Sequence, residues 1–334
     1  MFKFYKLLFF NSMMLGTMIA VSSYSWMSMW IGLEINLLSI IPLMNNNNSI
    51  SSESSIKYFL SQTMASMVLL FSIICILFTN EIINNTLSSN LFMMMNASFY
   101  MKMGAAPLHF WFPEIMEGLS WMNNLLLMTW QKIAPMVLVF YNMKINFMLI
   151  IIVMSTIIGS IMGLNQVSLR KIMAYSSINH ISWMLASMFN SLYIWLNYFL
   201  IYSIISINLI MIFNKFNIFV LKQLINSLNN KNLVKFFFIF NFLSLGGIPP
   251  LLGFYPKWIT INNLINNNYY TITFLMIIFT LITLFFYLRV TFSVILFNNN
   301  EIKWISPNSS IWMISSTNFF SLILMAGLIL NFMY

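Results

Sequence analysis

Apolar runs long enough to cross a lipid bilayer follow one another along almost the whole of this 334-residue chain. They are continuous rather than alternating, which selects helices over a transmembrane β-barrel. Composition agrees: the chain is 60% hydrophobic and only 6% charged. A water-soluble domain of this size needs far more charge to cover its surface. The sequence therefore predicts an all-α polytopic membrane protein, one transmembrane domain over residues 1–334 with no soluble domain. Its longest polar connection is Asn214–Lys235.

Eleven spans are expected, at 4–21, 25–43, 57–79, 90–112, 120–141, 146–163, 172–188, 192–213, 235–262, 269–297 and 311–333. The first has a signal-peptide look, with Lys3 and Lys6 before it and Ala20-Val-Ser22 behind. With ten more spans following, it is read as a retained helix. Basic residues orient the chain. With the N-terminus inside, the inner connections carry Lys3, Lys6, Lys57, Arg170, Lys171, Lys215, Lys222, Lys231, Lys235 and Lys303, and the outer ones only Lys144. The C-terminus is then outside. The net charge of +9 is thus spread along span ends, which suits a membrane surface, anionic lipids included, rather than nucleic acid.

Several chemistries are excluded by what is missing. The one cysteine, Cys75, lies in an apolar run, so disulfides and thiolate-held haem or iron–sulfur clusters are not expected within the chain. The two histidines, His109 and His180, have no HExxH-type partner, and Gly246-Gly247 leads into prolines rather than a phosphate-binding helix start. All six acidic residues are glutamates. No metal, nucleotide or redox cofactor is expected in this chain. The abundance of Met, Phe, Ile and Asn suits an AT-rich genome such as an animal organelle's.

Charges inside spans remain to be explained: Glu34, Lys102, Lys132, Lys257 and Arg289. Glu34 lies ~14 Å into its span, and Lys102 and Lys132 ~18 Å into theirs, near the middle of a hydrocarbon core about 30 Å thick. Arg289 is nearer a span end and reads as an anchor. Glu114 and Glu117 fall in an inner connection and read as solvated; Cys75 reads as packing. Helices are expected to break near Gly104–Pro107 and Gly246–Pro250, and Pro107 is expected to free the Met103 carbonyl beside Lys102. Pro135 likewise withholds a donor from the Gln131 carbonyl, next to Lys132. Desolvation disfavours a charged lysine and a nearby carboxylate restores it, so moving Glu34 relative to Lys102 would move a proton without redox chemistry. Broken helices lining a polar interior are a recognised way to place ions at mid-membrane depth. These residues point to proton or cation movement.

Five stretches, taken in order, resemble one family: Trp30-Ile-Gly-Leu-Glu-Ile-Asn36, Lys102 to Glu114, Thr129-Trp-Gln-Lys-Ile-Ala-Pro135, Leu169 to His180 and Leu245 to Trp258. The chain is similar throughout to subunit 2 of mitochondrial NADH dehydrogenase, an antiporter-like membrane-arm subunit of respiratory complex I. That resemblance implies a proton path in which Glu34 and Lys102 form the modulating pair, Lys132 is the central lysine and Lys257 the outlet lysine. His109 and His180 are possible relays, though each is individually expected to be packing. It also implies a subunit without cofactors, since NADH, FMN, iron–sulfur clusters and ubiquinone are used by other subunits. Its partners would be the other membrane-arm subunits and the lipids of the mitochondrial inner membrane, with the N-terminus in the matrix and the C-terminus in the intermembrane space. A free-standing cation/proton antiporter is the alternative, disfavoured by the lack of aspartate and of an acidic midplane site beyond Glu34. A scaffold that no longer pumps is a second, disfavoured by the intact lysines.

Overall fold

The chain is seen in a computed structural model that describes residues 4–45, 48–79, 85–189, 191–228 and 232–296. The described residues form fourteen helices and one isolated antiparallel bridge, Ser168 to Val220. Six of these helices are long and apolar enough to cross a membrane, so the chain is a multi-pass membrane protein. The span at 311–333 and the flanking Lys3, Lys231 and Lys303 lie outside the described residues. Two compact units divide the chain between Ile151 and Ile152.

In the first unit, α1 (Phe4–Ser22) and α2 (Trp26–Met44) form a close hairpin. Ser25 caps α2, its hydroxyl accepting from the Ser28 N–H at 3.3 Å. The two backbones approach at Gly16 and Gly32. A β-carbon on Gly32 would lie 2.6 Å from the Ala20 nitrogen, and one on Gly16 2.8 Å from the Asn36 nitrogen. Small residues allow such contact where lipid supplies no hydrophobic drive between helices. This contact holds α2, which carries Glu34, close against α1. The third helix, α3 (Ser49–Thr79), starts eight residues before the expected span and is ~47 Å long at 1.5 Å per residue. It packs on α4 (Asn85–Met103) and α5 (Trp111–Gly118).

The expected span at 90–112 is indeed broken, but glycine makes the break. In α4 the Gly104 N–H donates to Met101 O and the Ala105 N–H to Tyr100 O, with Gly104 at φ +75. This is a Schellman C-cap, which closes the helix before Pro107 is reached. The proline therefore has no helical carbonyl at Met103 to push away. The span at 120–141 is divided into α6 (Trp121–Met128) and α7 (Trp130–Tyr141), an interruption the sequence did not predict. It falls at Thr129, six residues before Pro135, where the Thr129 hydroxyl donates to Leu125 O at 2.7 Å. The Lys132 N–H reaches back only three residues, to Thr129 O.

The second unit begins within α8 (Ile145–Leu164) and continues with α9 (Leu169–Ser187) and α10 (Leu192–Phe216). Though polar, α9 is buried along nearly its full length. Its serines 176, 177, 182 and 187 each donate to a carbonyl three residues back, so each hydroxyl proton is satisfied within the helix. A short helix, α11 (Leu221–Leu228), precedes α12 (Asn232–Gly246), α13 (Phe254–Asn266) and α14 (Tyr270–Leu296). The second expected break repeats the first: Gly247 at φ +79 donates to Ser244 O, and the Ile248 N–H to Leu243 O.

Candidate functional site

The first unit gathers Glu34, Lys102 and Lys132 on α2, α4 and α7. Lys102 occupies the last turn of α4 and is buried. Glu34 is half-buried, with its Oε1 enclosed and without a hydrogen-bond partner among the described residues. No ion pair within 4.0 Å joins the two among those residues, so the carboxylate acts on the ammonium through its field. In a medium of low dielectric such an interaction is stronger at any given separation than it would be in water.

Beside Lys102 is a cavity of about 10 Å³, lined also by Asn36, Tyr58, Gln62, Gln131 and Pro135. That is room for about one water. Asn36 and Gln131 close a reciprocal pair across it: Asn36 Nδ2 donates to Gln131 Oε1 at 3.1 Å, and Gln131 Nε2 to Asn36 Oδ1 at 2.8 Å. The Tyr58 hydroxyl donates to the same Gln131 oxygen at 3.4 Å. Gln62 Nε2 faces the Lys102 carbonyl at 3.5 Å, and Trp111 Nε1 donates to Met101 O at 3.0 Å. Neutral donors thus serve the carbonyls at the end of α4.

Lys132 is almost wholly buried, with its Nζ 5.5 Å from the centre of the Phe112 ring. An aromatic face is a favourable neighbour for a desolvated cation. The same ring packs against Gly104, where an added β-carbon would meet it at 3.3 Å. Phe112 therefore links the helix break to the second lysine. His109 sits in the turn between α4 and α5, its Nδ1 3.2 Å from Pro107 O and its ring against Phe110. It is placed as a packed loop residue. Glu114 is exposed and pairs with Lys57 at 3.2 Å; Lys57 also reaches Glu53 at 3.0 Å.

In the second unit, Lys257 of α13 is buried against the break that follows α12. Its Nζ donates to Gly246 O at 2.8 Å and Leu245 O at 3.2 Å. Here a cation occupies the C-terminal end of a helix, where the helix dipole favours it. Gly247 leaves the necessary space, since a β-carbon there would lie 2.8 Å from the Lys257 chain. Trp183 of α9 lies 5.9 Å from the same ammonium. One turn earlier on α9, His180 Nδ1 is 2.9 Å from the Tyr198 hydroxyl, with its ring against Tyr202. Arg289 donates to Leu164 O at 2.7 Å and Gln166 O at 3.2 Å. It anchors the end of α8 rather than joining the lysines.

Sequence reasoning missed the amides and aromatics around the lysines. Asn36 stands two residues after Glu34, and Gln131 immediately before Lys132, so their positions held the signal. Burial of uncharged polar side chains is too common to single them out without a fold.

Residues 23–283 match the family described as NADH:quinone oxidoreductase/Mrp antiporter, TM. The NADH-ubiquinone oxidoreductase chain 2 of Anopheles gambiae is 47% identical over 97% of this chain and 96% of its own length. That of Aedes aegypti is 48% identical over 98% and 97%. A chain of respiratory complex I from Thermus thermophilus superposes with a TM-score of 0.87 at 21% identity, covering 97% of this chain and 78% of that one.

Proposed function

The chain belongs to the NADH:quinone oxidoreductase/Mrp antiporter family, alongside the chain 2 relatives, and on that premise we propose that it is a proton-translocating membrane subunit of an NADH:ubiquinone oxidoreductase. The observation that carries the mechanism is the burial of three lysines: Lys102 is 7% exposed, Lys132 1% and Lys257 6%. Each ammonium at membrane depth costs roughly 2.5–3.5 kcal/mol. Three together approach the about 5–15 kcal/mol by which a whole domain is stable. Such groups persist where they are used.

In this reading a shift of Glu34 relative to Lys102 changes the charge that Lys102 holds. The proton released or taken up passes by water to Lys132, and Lys257, seated on a helix end, serves the outlet. Quinone reduction elsewhere in the complex drives the cycle, and NADH, FMN, iron–sulfur clusters and ubiquinone belong to other subunits. The two units work as one antiporter-like domain of eleven spans in the mitochondrial inner membrane, with residue 1 on the matrix side and the C-terminus in the intermembrane space. The exposed apolar faces meet lipid and neighbouring membrane-arm subunits. Native electrophoresis of solubilised membranes tests the assignment. Migration with NADH-oxidising activity is expected; migration alone would instead favour a free-standing antiporter.

A further inference from the structure

The Asn36–Gln131 pair has no part in the account above, yet it lines the cavity beside Lys102 and its glutamine directly precedes Lys132 in the chain. Both side chains are buried, and each amide satisfies the other through two bonds. Gln131 and Pro135, one turn apart on α7, form a wall of the Lys102 cavity. Lys132 is the next residue round that helix, about 100° on, and its ammonium faces Phe112. The amide pair therefore lines the space beside Lys102 and, through Gln131, adjoins the residue that carries the second lysine. It also ties α2 to α7, two residues from Glu34 at one end and one from Lys132 at the other.

A closed ring of two amides spends those hydrogen-bonding groups on itself rather than on water. Parted, the same amides present four hydrogen-bonding groups that water can satisfy. Tyr58, already bonded to Gln131 Oε1, holds the glutamine end in place while the asparagine end moves with α2. We propose that Asn36 and Gln131 form a hydration gate between Lys102 and Lys132. It is shut in this structure and opens when α2 carries Glu34 away from Lys102. These are positioning residues, and the inference rests on the proton-translocating reading.

Three variants of the intact complex, reconstituted in vesicles, test it: Lys132→Ala, the apolar pair Asn36→Leu with Gln131→Met, and the exchanged pair Asn36→Gln with Gln131→Asn. Removing both partners of the reciprocal pair leaves neither amide orphaned and costs only the long Tyr58 bond to Gln131, so the apolar pair is expected to assemble and reduce quinone. Protons pumped per NADH should fall to the level of Lys132→Ala, because the route stays dry. The exchanged pair keeps the reciprocal bonds and should pump as the unaltered complex does. If the apolar pair pumps normally while Lys132→Ala does not, the amides are structural and the gate is refuted. Failure of the exchanged pair to pump where it assembles also refutes it. If Lys132→Ala itself pumps normally, the lysine path falls, and the gate with it. Should the apolar pair fail to assemble, Tyr58→Phe supplies the second reading: proton leak without turnover is expected, and an unchanged leak overturns the gate.

Discussion

Lys102 and Lys257 stand at the ends of two helices broken in the same way, yet they meet those ends differently. Lys257 donates to the last carbonyls of α12, whereas neutral donors, Trp111 and Gln62, serve α4 and leave the Lys102 ammonium facing a cavity. Lys257→Met should thus cost transport without making the complex more stable. Orphaning two buried carbonyls costs about 1–3 kcal/mol each, which offsets the roughly 2.5–3.5 kcal/mol relieved by removing the ammonium, so thermal inactivation of the complex should be no slower. His109 is the opposite case. Its hydrogen bond stays within its own loop and its ring packs on Phe110, so His109→Gln should leave protons per NADH unchanged. A loss of pumping without loss of turnover would return it to the proton path.

Elements explain why some of this was legible in the sequence and some was not. Continuous apolar runs announce α1, α2, α3, α8, α10 and α14, because a helix facing lipid must be apolar along its length. The breaks were legible as places, since Gly104 and Gly247 are each followed by proline. The part given to Pro107 was misjudged: the glycines end α4 and α12 by Schellman caps before any proline acts. The division between α6 and α7 had no comparable signal, because Thr129 is an ordinary helical residue until its hydroxyl bonds backward. The charged positions stood out because charge is scarce here, while the partners around them needed tertiary structure. Gly104→Ala tests the break directly. A β-carbon at φ +75 costs about 1–2 kcal/mol and would press on Phe112 at 3.2 Å. The complex should inactivate at lower temperature, and an unchanged midpoint would mean that the break is not held at this glycine.

At the scale of the molecule, each unit carries a broken helix with a buried lysine at its break, α4 with Lys102 and α12 with Lys257. Lys132 belongs with the first and sits instead in the opening turn of α7, beside Phe112. Lys102 is set among amides and the Tyr58 hydroxyl, Lys132 beside the Phe112 ring, and Lys257 on two backbone carbonyls beside Trp183. The measurement that bears most directly on this is proton uptake per NADH oxidised in vesicles holding the Lys132→Ala complex, with quinone reduction followed in the same sample. The protein described here predicts fewer protons per NADH while quinone reduction continues. An unchanged ratio would contradict the assignment of Lys132 to the proton path.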